Sequence, residues 1–144
     1  MSKVFTHRRR VEFRDTDTAG IVHFSVFFAY MVEAEHEFLR QLGLGVMMNV
    51  DGTNISWPRV AANCNYRNTI RFEEVIDIDV AVAKIGTKSV TYDFNIRRDD
   101  TKIADGQVTT VCCKFEHDDR LEKKKMESIA VPQQIIDAIS PFML

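Results

Sequence analysis

With 144 residues and a formal net charge of −2, the chain is long enough for one packed core and too evenly charged to be drawn as a whole to DNA or an anionic membrane. Its 45% hydrophobic and 28% charged residues match an ordinary globular protein, and no apolar run approaches the ~20 residues of a membrane span. The N-terminus has no apolar leader, so one cytoplasmic domain over residues 1–144 is expected, with no nucleic-acid partner.

Three cysteines, Cys64, Cys112 and Cys113, leave one unpaired under any disulfide scheme, and neighbours on a strand face opposite ways. No CxxC spacing or Cys/His cluster occurs, so three reduced, packed thiols and no metal site are expected. The Arg8-Arg9-Arg10 run has no second basic cluster beside it and reads as a strand with solvated arginines.

Residues 3–13 alternate, with Phe5, His7, Arg9, Val11 and Phe13 on one face, which predicts a first strand. The stretch Arg14–Phe24 then places two carboxylates (Asp15 and Asp17), Gly20 and His23 just before a helix. Ser25 stands in the N-cap position, and Phe27, Phe28, Met31, Ala34, Phe38, Leu39 and Leu42 recur at helical spacing from Val26 to Leu42, with Gly43 as the stop. A helix start carries unpaired N–H groups and partial positive charge, which suits an oxyanion; a carboxylate beside it is half of an acyl-transfer site. Glu35 interrupts the apolar face, so it either pairs with an arginine, faces a subunit interface or acts in catalysis.

Residues 46–54 read as a loop, followed by a strand from Ile55 to Tyr66 with Pro58 at its edge or bulge. Val75 to Ile85 alternates cleanly, Gly86-Thr87 turns the chain, and Val90, Tyr92, Phe94 and Ile96 mark the next strand. After Asp99-Asp100-Thr101 a long strand is expected from Lys102 to Phe115, giving an antiparallel meander. Residues 120–125 read as a charged loop, and a short helix follows from Val131-Pro132 to Ile139. The order is α+β, one sheet around one central helix.

That order, with Glu12-Phe13-x-Asp15-x-Asp17-x-Ala19-Gly20-Ile21-Val22 ahead of the helix, resembles the hotdog-fold acyl-CoA thioesterases. The branch is the 4-hydroxybenzoyl-CoA thioesterase-like one, which includes the acyl-CoA thioesterases associated with the Tol–Pal system. Arg71-Phe72-Glu73-Glu74-Val75 resembles a second family segment. The resemblance implies a five-stranded antiparallel sheet wrapped around one long helix, and hydrolysis of an acyl- or aroyl-CoA thioester without a cofactor. It implies Asp17 as nucleophile or general base and the Phe24 backbone N–H as oxyanion donor. It also implies a homodimer or homotetramer with sites between subunits, and CoA phosphates held by basic side chains, for which Lys84, Lys88 and Arg97 are the candidates.

His23 stands one residue before the position at which the Tol–Pal-associated relatives have a histidine; it is read as activating water, orienting the thioester or packing at the loop. Phe24, Phe27, Phe28 and Trp57 are read as lining an aromatic acyl pocket or filling the core. Three other readings compete. A non-catalytic module binding acyl-CoA or acyl carrier protein would leave Asp17 without work, and a hotdog dehydratase would need a different His–Asp arrangement. Asp15-Thr16-Asp17-Thr18 also resembles the DxDxT motif of Mg²⁺-dependent haloacid-dehalogenase-type phosphatases, but consecutive strands stand where βα units would be needed.

Overall fold

A computed structural model describes residues 2–118 and 123–144. In chain order the elements are β1 (Phe5–Arg10), α1 (Val26–Gln41), β2 (Met48–Val50), β3 (Thr53–Ser56) and β4 (Arg59–Tyr66). Then come β5 (Val75–Ile85), β6 (Ser89–Arg98), β7 (Thr101–Val111), β8 (Cys113–Asp118), β9 (Lys123–Ser128) and α2 (Gln133–Ile139). The main sheet has five antiparallel strands in the order β1-β5-β6-β7-β4, and α1 packs on one side of it. This is the hotdog fold expected from the sequence.

The core lies between helix and sheet because both present one apolar face. Tyr30, Met31, Ala34 and Phe38 of α1 are fully buried with Ile76, Ile78 and Val80 of β5, Val90, Phe94 and Ile96 of β6, and Ile103 and Ala104 of β7. Phe38 meets Tyr92 and Phe142 edge-on, with centroids 6.1 and 4.8 Å apart. The helix stops as its sequence predicts: Gly43 takes φ +75°, and the Leu44 and Gly45 N–H groups both reach the Leu39 carbonyl.

The closest approach is at Gly106 on β7. A Cβ there would lie 2.1 Å from the Asn63 carbonyl oxygen and 2.8 Å from Met31 Cε. The first contact is with backbone and cannot be relieved by a rotamer change. Gly106→Ala is therefore expected to destabilise the fold by about 1–3 kcal/mol, the usual cost of overpacking a core, as a lower midpoint in urea unfolding. An unchanged midpoint would mean that β4 moves freely against β7.

Four expectations change. Residues 46–54 do not form a plain loop: β2 and β3 make a hairpin whose turn, Asp51-Gly52, has φ of +50° and +85°, the two positive values of a type I′ turn. The strand expected from Ile55 to Tyr66 breaks at Trp57-Pro58, because proline lacks the donor a continuous ladder needs. The strand expected from Lys102 to Phe115 breaks at Cys112, whose N–H turns aside to the Lys88 carbonyl (2.7 Å). At the first break the chain passes from a second, four-stranded sheet, β2-β3-β8-β9, into the main one, and at Cys112 it passes back. Of the charged loop expected over residues 120–125, Lys123, Lys124 and Lys125 instead open the strand Lys123–Ser128, and residues 120–122 lie outside the described residues.

All three cysteines are free thiols, and burial pushes Cys112 up to about 11, which keeps it protonated. Among the described residues no helix is long and apolar enough to cross a membrane, and no group of three or more His, Cys, Asp or Glu side chains is placed to hold a metal.

Candidate active site

The loop between β1 and α1 is anchored by Asp15. Its carboxylate is buried, with Oδ2 accepting from Arg9 Nη1 (3.0 Å), the Glu12 N–H (2.9 Å) and the Tyr30 hydroxyl (2.9 Å). The Asp15 carbonyl also accepts the His23 N–H at 2.9 Å, which ties the two ends of the loop together. Burial, followed by the Asp15 hydrogen bond, pushes the Tyr30 phenol well above its ordinary value, so it stays a donor. Asp15 thus holds the loop through Oδ2, and its burial keeps the carboxylate from the exposed tip.

Asp17 is placed differently. It is exposed at the tip, and its Oδ1 accepts the Ala19 N–H at 2.8 Å. The Asp17 N–H reaches the Ile21 carbonyl (2.9 Å) and the Gly20 N–H reaches the Asp17 carbonyl (3.0 Å), a tight loop that needs the positive φ of +79° at Gly20. One carboxylate oxygen is left for a substrate or a water.

The loop runs into the start of α1. The Phe24 N–H has no hydrogen-bond acceptor among the described residues, while its carbonyl accepts from the Tyr66 hydroxyl of β4 at 2.8 Å. Tyr66 therefore fixes the peptide that follows Phe24. Ser25 occupies the N-cap position but makes no capping bond; its Oγ lies 2.7 Å from His23 Nδ1, and its N–H also points to that nitrogen (3.3 Å). With Nδ1 accepting, the neutral ring carries its proton on Nε2. The imidazole stacks obliquely on Phe24, with centroids 4.7 Å apart.

Glu35 and Trp57 belong to another place. Glu35 is 2% exposed, its Oε2 is 2.5 Å from Arg59 Nη2, and its Oε1 has no hydrogen-bond partner among the described residues. Burial pushes it up to about 7 against the lowering pull of Arg59. It lines a largely apolar cavity of about 710 Å³ with Leu39, Met48, Ile55 and Trp57, bounded by α1 and the second sheet. Phe27, by contrast, is a core residue, edge-on to Tyr66 with centroids 5.1 Å apart.

The raised Glu35 pKa has a measurable sign. The folded protein holds this proton more tightly than the unfolded chain, so Glu35 weakens the fold as pH rises from the ordinary glutamate range through about 7. Thermal melting of wild type and Glu35→Gln between pH 5 and 8 is expected to show the variant gaining relative stability as pH rises. Parallel curves would contradict the assignment.

Of the expected CoA-binding cations, Lys84 and Lys88 flank the Gly86-Thr87 turn, exposed and without an ion-pair partner among the described residues. Arg97 does not join them. It lies six residues along β6 from Thr91, the register partner of Lys84, roughly 20 Å at the rise of a strand. Its guanidinium is engaged by Asp79 (2.8 Å) and Asp77 (3.5 Å). Two contacts that shape the site were absent from the sequence reading: Arg59, which neutralises Glu35, and Tyr66, which holds the Phe24 peptide. Each lies across the fold from its partner, so no local spacing signals either.

Comparison with known proteins supports the fold and identifies the family. The family described as the thioesterase-like superfamily matches residues 11–139. A putative esterase of Aquifex aeolicus is 25% identical over 135 residues, 94% of this chain and 97% of that protein. A 4-hydroxybenzoyl-CoA thioesterase of Pseudomonas sp. (strain CBS-3) is 25% identical over 100 residues, 68% of this chain and 71% of that one. The crystal structure of a 1,4-dihydroxy-2-naphthoyl-CoA thioesterase from Synechocystis superposes with a TM-score of 0.79 at 22% identity, covering 96% of each chain. The fold is shared with hydrolases of CoA thioesters. The chain belongs to the thioesterase-like superfamily.

Proposed function

We propose that the protein hydrolyses an acyl- or aroyl-CoA thioester to the free acid and CoA, with Asp17 as the attacking or base carboxylate. The observation that carries this reading is the pairing, on one short loop, of an exposed Asp17 carboxylate fixed by the Ala19 N–H with an unpartnered Phe24 N–H at a helix start. The Phe24 N–H polarises the thioester carbonyl and accommodates the oxyanion. Asp17 either attacks the carbonyl carbon, forming an anhydride that water then opens, or takes a proton from the water that attacks. In both cases the C–S bond breaks, the sulfur leaves as thiolate, and water supplies the oxygen of the acid. His23, with Nε2–H available, orients the thioester or the water.

Lys84 and Lys88 are proposed to meet the CoA phosphates, with no cofactor taking part. The working assembly is at least a homodimer. β4 pairs with β7 on one side only, leaving an eight-residue open edge on which Val60 is 62% exposed, and an uncovered edge of this kind favours pairing with a second copy. Two such edges meeting antiparallel about a two-fold axis extend the sheet across the dimer, and two dimers give the tetramer.

The test is release of free CoA thiol from a panel of acyl- and aroyl-CoA thioesters by the purified protein. Repeated turnover of at least one thioester is expected. Binding of CoA esters with no thiol released across the panel would favour a sensor and sink the enzymatic reading.

A further inference from the structure

The two ends of β4 carry different halves of a site. At one end the Tyr66 hydroxyl holds the Phe24 carbonyl, and with it the helix start and the Asp17 loop. At the other, Arg59 holds Glu35 at the wall of the 710 Å³ cavity. The Lys88 turn is tied to that same end: the Cys112 N–H bonds the Lys88 carbonyl, and the next strand residue back, Val111, donates to the Pro58 carbonyl. Eight residues of strand separate the ends, roughly 24 Å. A pairing of two β4 edges centred on the middle of the strand closes that gap, since Arg59 of one protomer then lies opposite the partner's Tyr66.

The cavity has the chemistry of a recognition chamber. Its wall is largely apolar, yet it contains a carboxylate oxygen, Glu35 Oε1, that is buried and has no partner among the described residues. A buried acceptor without a donor is costly and uncommon in folded proteins. Arg59 already neutralises the Glu35 charge through Oε2, so a second full cation is not called for. A hydroxyl suits this position in either protonation state, donating to the carboxylate or accepting from the acid.

We infer that Glu35 is a specificity-determining residue: it accepts a hydrogen bond from a hydroxyl at the far end of an apolar acyl or aroyl group that fills this cavity, while the thioester of that group meets Asp17 of the partner protomer. The inference rests on the thioesterase reading and adds to it the substrate feature that the site selects. Arg59 is the positioning residue, holding the Glu35 carboxylate in the wall so that Oε1 remains for the ligand.

The test compares kcat/KM for ring-hydroxylated benzoyl-CoA isomers against benzoyl-CoA, and for 8-hydroxyoctanoyl-CoA against octanoyl-CoA. Wild type is expected to prefer one hydroxylated member over its parent by about tenfold to a hundredfold, the range of one hydrogen bond to a charged group. The double variant Glu35→Leu/Arg59→Leu, which removes the pair without stranding either charge, is expected to lose most of that preference. If it does not melt cooperatively, Glu35→Gln replaces it, since it keeps a bond to Arg59 and weakens the preference. A wild type with no preference for any hydroxylated thioester, or a variant that keeps it intact, overturns the inference while leaving the thioesterase reading standing. A wild type that hydrolyses nothing removes both.

Discussion

Asp17→Asn is expected to lower kcat by at least about a hundredfold, the size typical of removing a group that transfers a proton or attacks in the transition state, with little change in melting temperature. Both halves follow from where the residue sits. Asp17 is exposed and its side chain has one intramolecular bond, from the Ala19 N–H, which the Asn carbonyl oxygen also accepts, more weakly for want of the charge. The loop therefore keeps its shape. What the amide lacks is the negative charge: it neither takes a proton from water nor forms an anhydride. The loss should appear in kcat more than in KM, because the proposed binding mode holds CoA and the acyl group through other residues.

Asp15→Ala is expected to do the opposite, unfolding more than it slows. Removing this carboxylate deprives the Tyr30 hydroxyl and the Glu12 N–H of their acceptor and leaves Arg9 with Glu33 as its remaining carboxylate partner. A buried pair broken from one side costs on the order of 3–5 kcal/mol, and a nearby remaining partner for Arg9 places this case at the lower end. For a domain of this size that is a fall of roughly 10 °C in melting temperature. Activity should fall as well, since the His23 end of the loop is tied to the Asp15 backbone. Tyr30→Phe, which removes one donor and leaves the carboxylate with two, should be milder. Equal melting of Asp15→Ala and wild type would show that the anchor described here is dispensable.

The contrast between the two aspartates explains how much was legible. DxD on a loop before a helix identifies a carboxylate site, and the family pattern points to the second member. Only the three donors converging on Asp15 show why the first is unsuited to chemistry. The meander was readable because apolar residues alternate along β5 and β6, and those residues, Ile76, Ile78 and Val80 or Val90, Tyr92 and Phe94, are buried. The second sheet was not, because its strands are short and interrupted at Trp57-Pro58 and Cys112. Yet Asp51-Gly52 does carry the local signature of the hairpin turn between β2 and β3. Glu35 was recognisable as an anomaly on an apolar helix face, whereas its partner Arg59, 24 residues on, was not: ion pairing across a fold leaves no periodic trace. Arg97 failed for a similar reason, because closeness in charge pattern to the Gly86-Thr87 turn says nothing about which end of a ten-residue strand a side chain occupies.

The measurement that tests the division of labour in this loop most directly is thiol release and thermal melting on the same preparations of wild type, Asp17→Asn and Asp15→Asn. The expected result is an Asp17→Asn protein that melts like wild type and releases almost no thiol, beside an Asp15→Asn protein that melts lower. An Asp17→Asn protein that turns over its thioester at the wild-type rate would contradict the account and move the search for the catalytic carboxylate to Glu35.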